Sequence, residues 1–158
     1  MDFTDRDYRD ALARYTTGVT VVTAAGEDGG GAGITVNSFS SISLDPPLVS
    51  WSLGRDSKRF ELFGKADNFA VNVLAHEQEV LAKTMAETTS LDSAAPWEPA
   101  KNGAPWILGA VTRLACKTYK RVEAGDHVII IGQVVDYDHR DKPALTYYRS
   151  NYGRAESH

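Results

Sequence analysis

Gly33-Ile34-Thr35-Val36-Asn37-Ser38-Phe39-Ser40-Ser41-Ile42-Ser43-Leu44-Asp45-Pro46-Pro47-Leu48-Val49 is the stretch on which the fold turns. Its β-branched and aromatic residues favour a strand. Between them lie one Asn and a dense set of hydroxyls, each of which brings polar atoms that must be satisfied if buried. The combination describes a strand edge with a polar rim, ended by Pro46-Pro47. Two readings stand. The rim binds something flat and polar, or it is a hydroxyl-rich outer strand followed by an ordinary turn.

Upstream, residues 19–24 (Val-Thr-Val-Val-Thr-Ala) read as a strand. The glycines of 26–33 that follow fit neither G-x-G-x-x-G nor a Walker loop, have no closing Lys-Ser/Thr, and precede a strand instead of a helix. They predict a flexible hairpin turn, with 34–40 pairing back on 19–24. Before them, Thr4 caps a short helix with Tyr8, Leu12 and Tyr15 on its apolar face, ended by Gly18.

Downstream, 48–53 alternates, with Val49, Trp51 and Leu53 on one face and Leu48, Ser50 and Ser52 on the other. The polar loop 54–59 leads into a short helix over 60–64. Ser57-Lys58-Arg59 at its start is either a phosphate site, where hydroxyl, cations and helix N–H groups converge, or a solvated basic turn. A strand is expected over 69–74, and a helix over 76–86 with Val80, Leu81 and Met85 on its apolar side. Residues 87–105 follow no pattern and, as a long loop, suit a lid or partner contact. Strands over 110–115, 116–122 and 127–135 and a tyrosine-rich tail complete the chain. About seven strands with two or three helices predict a mainly β single domain over 1–158, a barrel or sandwich with helical decoration.

Charge narrows the function. With 17 Lys and Arg against 21 Asp and Glu, the net charge of −4 argues against a nucleic-acid partner. No window reaches the roughly 18 apolar residues of a membrane span, and the charged start lacks the apolar core of a signal peptide. The single cysteine, Cys116, fits a reducing, cytoplasmic setting and reads as a buried structural thiol. The histidines at 76, 127, 139 and 158 lie far apart, and none has metal-type spacing to another His or Cys. His139 sits in a charged turn and His158 at the terminus. His127 differs, because Gly125-Asp126-His127 launches the most hydrophobic strand. It either faces a ligand at the rim or only starts the strand after a turn.

Taken in order, several segments resemble the short-chain flavin reductases, the NAD(P)H:flavin oxidoreductase components of two-component flavin-dependent monooxygenases. These are Ala11-Leu12-Ala13-Arg14-Tyr15, Thr17-Gly18-Val19-Thr20-Val21-Val22-Thr23, Thr35-Val36-Asn37-Ser38-Phe39, Ser43-Leu44-Asp45-Pro46-Pro47, Phe69-Ala70-Val71-Asn72-Val73-Leu74, Gly125-Asp126-His127, Tyr147-Tyr148-Arg149 and Tyr152-Gly153. The resemblance implies a Greek-key split β-barrel, a homodimer, FMN or FAD bound without a Rossmann domain, NADH or NADPH as reductant, and a separate monooxygenase as recipient. It implies that Thr35, Val36, Asn37 and Ser38 lie along the isoalloxazine ring. Ser52, Leu53, Arg55, Ser57 and Lys58 would hold the ribityl chain and phosphate, with His76 near by. Asp126 and His127 would meet the nicotinamide beside Tyr152, His127 as the catalytic residue. The competing expectation is a flavin-binding electron carrier or sensor that never turns over NAD(P)H. The stretch 88–106 departs from the family pattern and is expected to shape the pocket entrance or a dimer surface.

Overall fold

A computed structural model describes residues 2–157, so His158 lies outside the described residues. The chain runs α1 (Asp5–Leu12), β1 (Thr17–Gly18), β2 (Thr20–Ala25), β3 (Gly31–Val36), β4 (Ser40–Leu44), β5 (Pro47–Gly54), α2 (Phe60–Lys65) and β6 (Asn68–Val73). A single 3-10 turn (His76–Gln78) then opens α3 (Glu79–Glu87), followed by β7 (Trp97–Pro99), β8 (Pro105–Ile107), β9 (Thr112–Ala124), β10 (His127–His139), β11 (Leu145–Tyr148) and β12 (Asn151–Arg154). Seven strands form one antiparallel sheet in the order β3-β2-β6-β9-β10-β5-β4. Small sheets β1-β11-β12 and β7-β8 flank it.

The large sheet coils. Ile34 on β3 and Trp51 on β5 share one core cluster with Phe63, Phe69 and Ile130, although five strand spacings, about 24 Å if flat, separate them. Gly132 on β10 leaves room for the Phe69 ring in this core, because a Cβ there would lie 2.5 Å from it. A second cluster packs α3 against the other face of β2 through Val19, Val21, Leu81, Met85 and Leu91. β2 is therefore buried on both faces, as its run of apolar and Thr residues requires.

The alternation of 48–53 holds. Val49, Trp51 and Leu53 are buried in β5 while Leu48, Ser50 and Ser52 are half-buried. The N-cap also holds, with Thr4 Oγ1 accepting from Asp7 N at 3.1 Å. Cys116 is buried, and that burial pushes its thiol up to about 12.

Several expectations are corrected. The strand placed over 34–40 is two strands: β3 ends at Val36, and residues 40–44 leave it to pair with β5 as β4. The strands placed over 110–115 and 116–122 are one, β9. Val80 is 75% exposed, because α3 turns only Leu81, Ala82 and Met85 inward. The face of Tyr8, Leu12 and Tyr15 is uncovered within the chain, and α1 itself ends at Leu12.

Residues 87–105 are pinned to the sheet at points along a largely exposed path. Leu91, Ala100, Ala104 and Pro105 within them are buried, as are Trp106 and Ile107 just beyond. Ile107 N donates to buried Asn72 Oδ1 at 2.9 Å, and Thr23 Oγ1 donates to Pro105 O. Buried Arg113 reaches Glu98 at 2.9 Å, pairs with Asp138 and stacks 4.6 Å over the Trp106 ring.

Candidate functional site

The antiparallel ladder decides which backbone groups of β3 are free. Gly31 and Gly33 point their polar groups away from β2. Gly33 N donates to Thr89 O and Gly31 O accepts from Leu91 N, both at 2.9 Å. With a period of two, Thr35 turns its N–H and C=O to the same edge, beyond the cover of residues 89–91. The Thr35 hydroxyl is committed inward, donating to Ala82 O at 2.6 Å. Where that cover stops, an open cleft of about 220 Å³ begins, lined by Val19, Thr35, Val36, Asn37, Ala86, Tyr147 and Tyr152.

Its walls suit a flat, partly polar ring. Val19 and Val36 are apolar. Tyr147 and Tyr152 meet edge to face at 5.1 Å, with Lys83 Nζ 5.5 Å over the Tyr152 ring. Burial holds the Tyr152 phenol above its ordinary value, so it is neutral at physiological pH. The open edge at Thr35 supplies a donor and an acceptor in one plane.

The second part of the rim is stitched to the first. Ser38 Oγ accepts from Ser52 N at 2.9 Å, which brings the end of β5 beside Asn37-Ser38. The Leu53 side chain is buried in the core, so only its backbone reaches the rim. Arg55 N then donates to Asp126 O at 2.9 Å, and the Arg55 guanidinium pairs with Glu123 at 2.6 Å and lies 5.8 Å over Phe60. Ser57 Oγ accepts from Arg59 N at 3.2 Å, and Lys58 is exposed. Arg59 is not the anion-directed cation that its place in the basic triplet predicts. Its guanidinium donates to the carbonyls of Gly33, Met85, Ala86 and Thr88.

The third part is the hairpin tip between β9 and β10. Gly125, at φ +62, and Asp126 form the two-residue turn, a position where glycine meets no steric cost. Asp126 Oδ1 lies 2.6 Å from His127 Nδ1. A carboxylate only accepts, so Nδ1 carries the hydrogen. The hydrogen bond from His127 holds the Asp126 carboxyl below the usual carboxylate range. The other ring nitrogen, Nε2, faces Gly54, at 3.7 Å from where a Cβ there would stand.

Most of the residues singled out in the sequence therefore gather along one rim. Thr35, Val36, Asn37 and Tyr152 line the cleft, Ser38 and Ser52 join it to the next loop, and Arg55, Asp126 and His127 meet at its far end. His76 is placed differently. Its contacts are with the tail, Nδ1 lying 3.3 Å from Gly153 O and its N–H donating to Pro143 O. Sequence reasoning missed Val19, Ala86, Tyr147 and Lys83, whose approach to the site depends on the pairing of β1 with β11 and on the seat of α3.

Residues 12–156 match the flavin reductase like domain. The chain is 42% identical over 149 residues to FMN reductase (NADH) SmoA of Agrobacterium fabrum, covering 94% of this chain and 85% of that one. It is 40% identical to the reductase component of the flavin-dependent trigonelline monooxygenase of Acinetobacter baylyi, covering 93% of this chain but only 48% of that protein. Among solved structures it resembles the NADH:FAD oxidoreductase SgcE6 of Streptomyces globisporus in complex with NAD and FAD fragments. That likeness has a TM-score of 0.89 and 33% identity, and covers 96% of this chain and 93% of the other. The chain belongs to the flavin reductase like domain family.

Proposed function

We propose that this protein uses NADH or NADPH to reduce FMN or FAD and supplies the reduced flavin to a separate monooxygenase. The observation that carries this reading is the convergence of three distant motifs on one rim. The open edge at Thr35, the Ser52–Lys58 loop and the Gly125-Asp126-His127 tip are joined by the Ser38–Ser52 and Arg55–Asp126 hydrogen bonds. The relatives named FMN reductase and monooxygenase reductase component support it. On this reading the Gly125-Asp126-His127 tip would meet the nicotinamide, a contact that a carrier or sensor has no need of.

The residues fit a flavin. Thr35 and Asn37 backbone groups would pair with the polar edge of the ring, Val36 and Tyr152 would flank it, and Ser52, Arg55, Ser57 and Lys58 would receive the phosphate-bearing chain. A bound flavin supplies hydride acceptance from the reduced nicotinamide, so no acid or base of the protein is needed for that transfer. The chain's part is to align two flat rings within reach of each other. His127, held by Asp126, would touch the nicotinamide and fix its position. Lys83 and the donors at Thr35 would favour the electron-rich reduced ring.

The same reading takes 1–158 as one domain whose coiled sheet is a split barrel, in a cytoplasmic homodimer. The shared core cluster of Ile34 and Trp51 supports the barrel. The exposed apolar residues Ile42 and Leu44 on edge strand β4 support a second copy. The buried free thiol suits a reducing compartment.

The test is oxidation of NADH and of NADPH by the purified protein with FMN, FAD or no flavin. Flavin-dependent turnover is expected. A protein that binds flavin without turnover would instead be a carrier, and one that neither binds nor turns over flavin would overturn the reading.

A further inference from the structure

Arg59 does not line the cleft, but it holds one lining residue, Ala86, together with backbone on either side of it. Nη1 donates to Gly33 O at 3.3 Å, to Thr88 O at 3.0 Å and to Met85 O, and Nη2 donates to Ala86 O at 3.0 Å. Its own N–H is fixed by Ser57 Oγ. Gly33 lies two residues before Thr35 on the open edge, Ala86 lines the cleft, and Ser57 lies in the loop that follows β5.

The physical role of these contacts is specific. The last carbonyls of a helix lack partners within it. In α3 the Thr84 carbonyl is taken by Thr88, through both N–H and hydroxyl, and Arg59 takes those of Met85 and Ala86. A cation at a helix C-terminus is also favoured by the helix dipole. The planar guanidinium, with its five donors in a fixed fork, suits bridging a helix end and a strand edge together. Below it, Gly33 permits the closest approach of α3, since a Cβ there would lie 2.8 Å from Met85 Sδ.

We propose that Arg59 is a positioning residue for the flavin cleft, a clamp that holds the end of α3, the edge of β3 and the Ser57 loop in the one arrangement in which the cleft exists. This rests on the flavin reading of the site. The clamp acts on the free protein. Without it, the binding-competent arrangement is populated for only a fraction of the time, and apparent affinity falls by that fraction, while the complex, once formed, is unchanged.

The test compares wild type with Arg59→Ala and Arg59→Lys. Dissociation constants for FMN and for riboflavin are read from flavin fluorescence, alongside steady-state kinetics and amide exchange over residues 84–91. In Arg59→Ala both flavins should bind about tenfold more weakly, by the same factor. Flavin KM should rise with them, kcat should stay within about twofold, and exchange over 84–91 should quicken. Lysine keeps the charge without the fork and should restore only part. Unchanged dissociation constants, even with a lower melting temperature, would overturn the clamp and leave a merely structural arginine. A loss confined to FMN would overturn it in favour of direct phosphate contact. Should Arg59→Ala not fold, Arg59→Lys decides by the same criteria. Wild type that binds neither flavin would remove the flavin reading itself, and the clamp with it.

Discussion

His127 and Ser150 show how differently two exposed residues at hairpin turns can matter. His127 is held at the rim by Asp126, so its loss should be felt in the use of NADH and not in the fold. His127→Ala is expected to lower kcat/KM for NADH by about 10- to 100-fold with little change in FMN binding. Unchanged steady-state kinetics would remove it from the site. Arg149 and Ser150, at φ +49 and +65, form the turn between β11 and β12 in a conformation that costs a residue with a Cβ about 1 kcal/mol. Ser150→Gly should raise stability by about 0.5 kcal/mol, after glycine's greater unfolded freedom is subtracted, and thermal unfolding should shift up by about 1–2 °C. Single residues were legible where chemistry is local. Thr4 as a cap and Cys116 as a buried thiol follow from their neighbours in sequence. The role of Arg59 was not legible, because its carbonyl partners at Met85, Ala86 and Thr88 lie far along the chain.

At the scale of elements, the hairpin β7–β8 and the long strand β9 depend on each other. Buried Arg113 on β9 is answered by Glu98 on β7 and by Asp138 on β10, with Nε donating to Asp138 Oδ1 at 2.9 Å. The hydrogen bond from Arg113 holds the Asp138 carboxyl below its usual range. A carboxylate depressed in this way stabilises the fold above its unfolded pKa, near 4, and that contribution is lost as pH falls through the lower folded value. Asp138→Asn should therefore cost about 2 kcal/mol at neutral pH and flatten the acid limb of the stability profile, read by tryptophan fluorescence. Deleting 93–101 removes Trp97, Glu98 and Ala100 from this assembly, and the expected outcome is loss of cooperative unfolding. A folded, soluble deletion with altered substrate preference would restore the lid reading. The hairpin escaped sequence reading because its strands are three residues long and bounded by prolines. The unity of β9 was hidden by Ala115 and Cys116, two buried neighbours that break the alternation opposite an irregularity in β10. β5 was plain because its period of two is unbroken.

For the whole molecule, the mainly β class and the two-sided burial of β2 were written in runs of β-branched residues. The path of the chain was not, because which strand pairs with which is settled by contacts across the sheet. Asn37-Ser38-Phe39 carries the chain from one end of the seven-stranded sheet to the other, and no local signal marks such a change of partner. The uncovered Ile42 and Leu44 on β4 bear on assembly. Light scattering after gel filtration should give twice the chain mass, and Leu44→Lys should shift it toward one. A monomeric wild type would refute the homodimer. Cys116 offers a way to follow such an assembly. Burial both shields its sulfur and pushes the thiol up, so Cys116 presents almost no reactive thiolate at pH 7. A cysteine introduced on an exposed turn would then be the sole site for a maleimide dye. Distances between two copies could be tracked by spin or fluorescent labels without first engineering the native cysteine away.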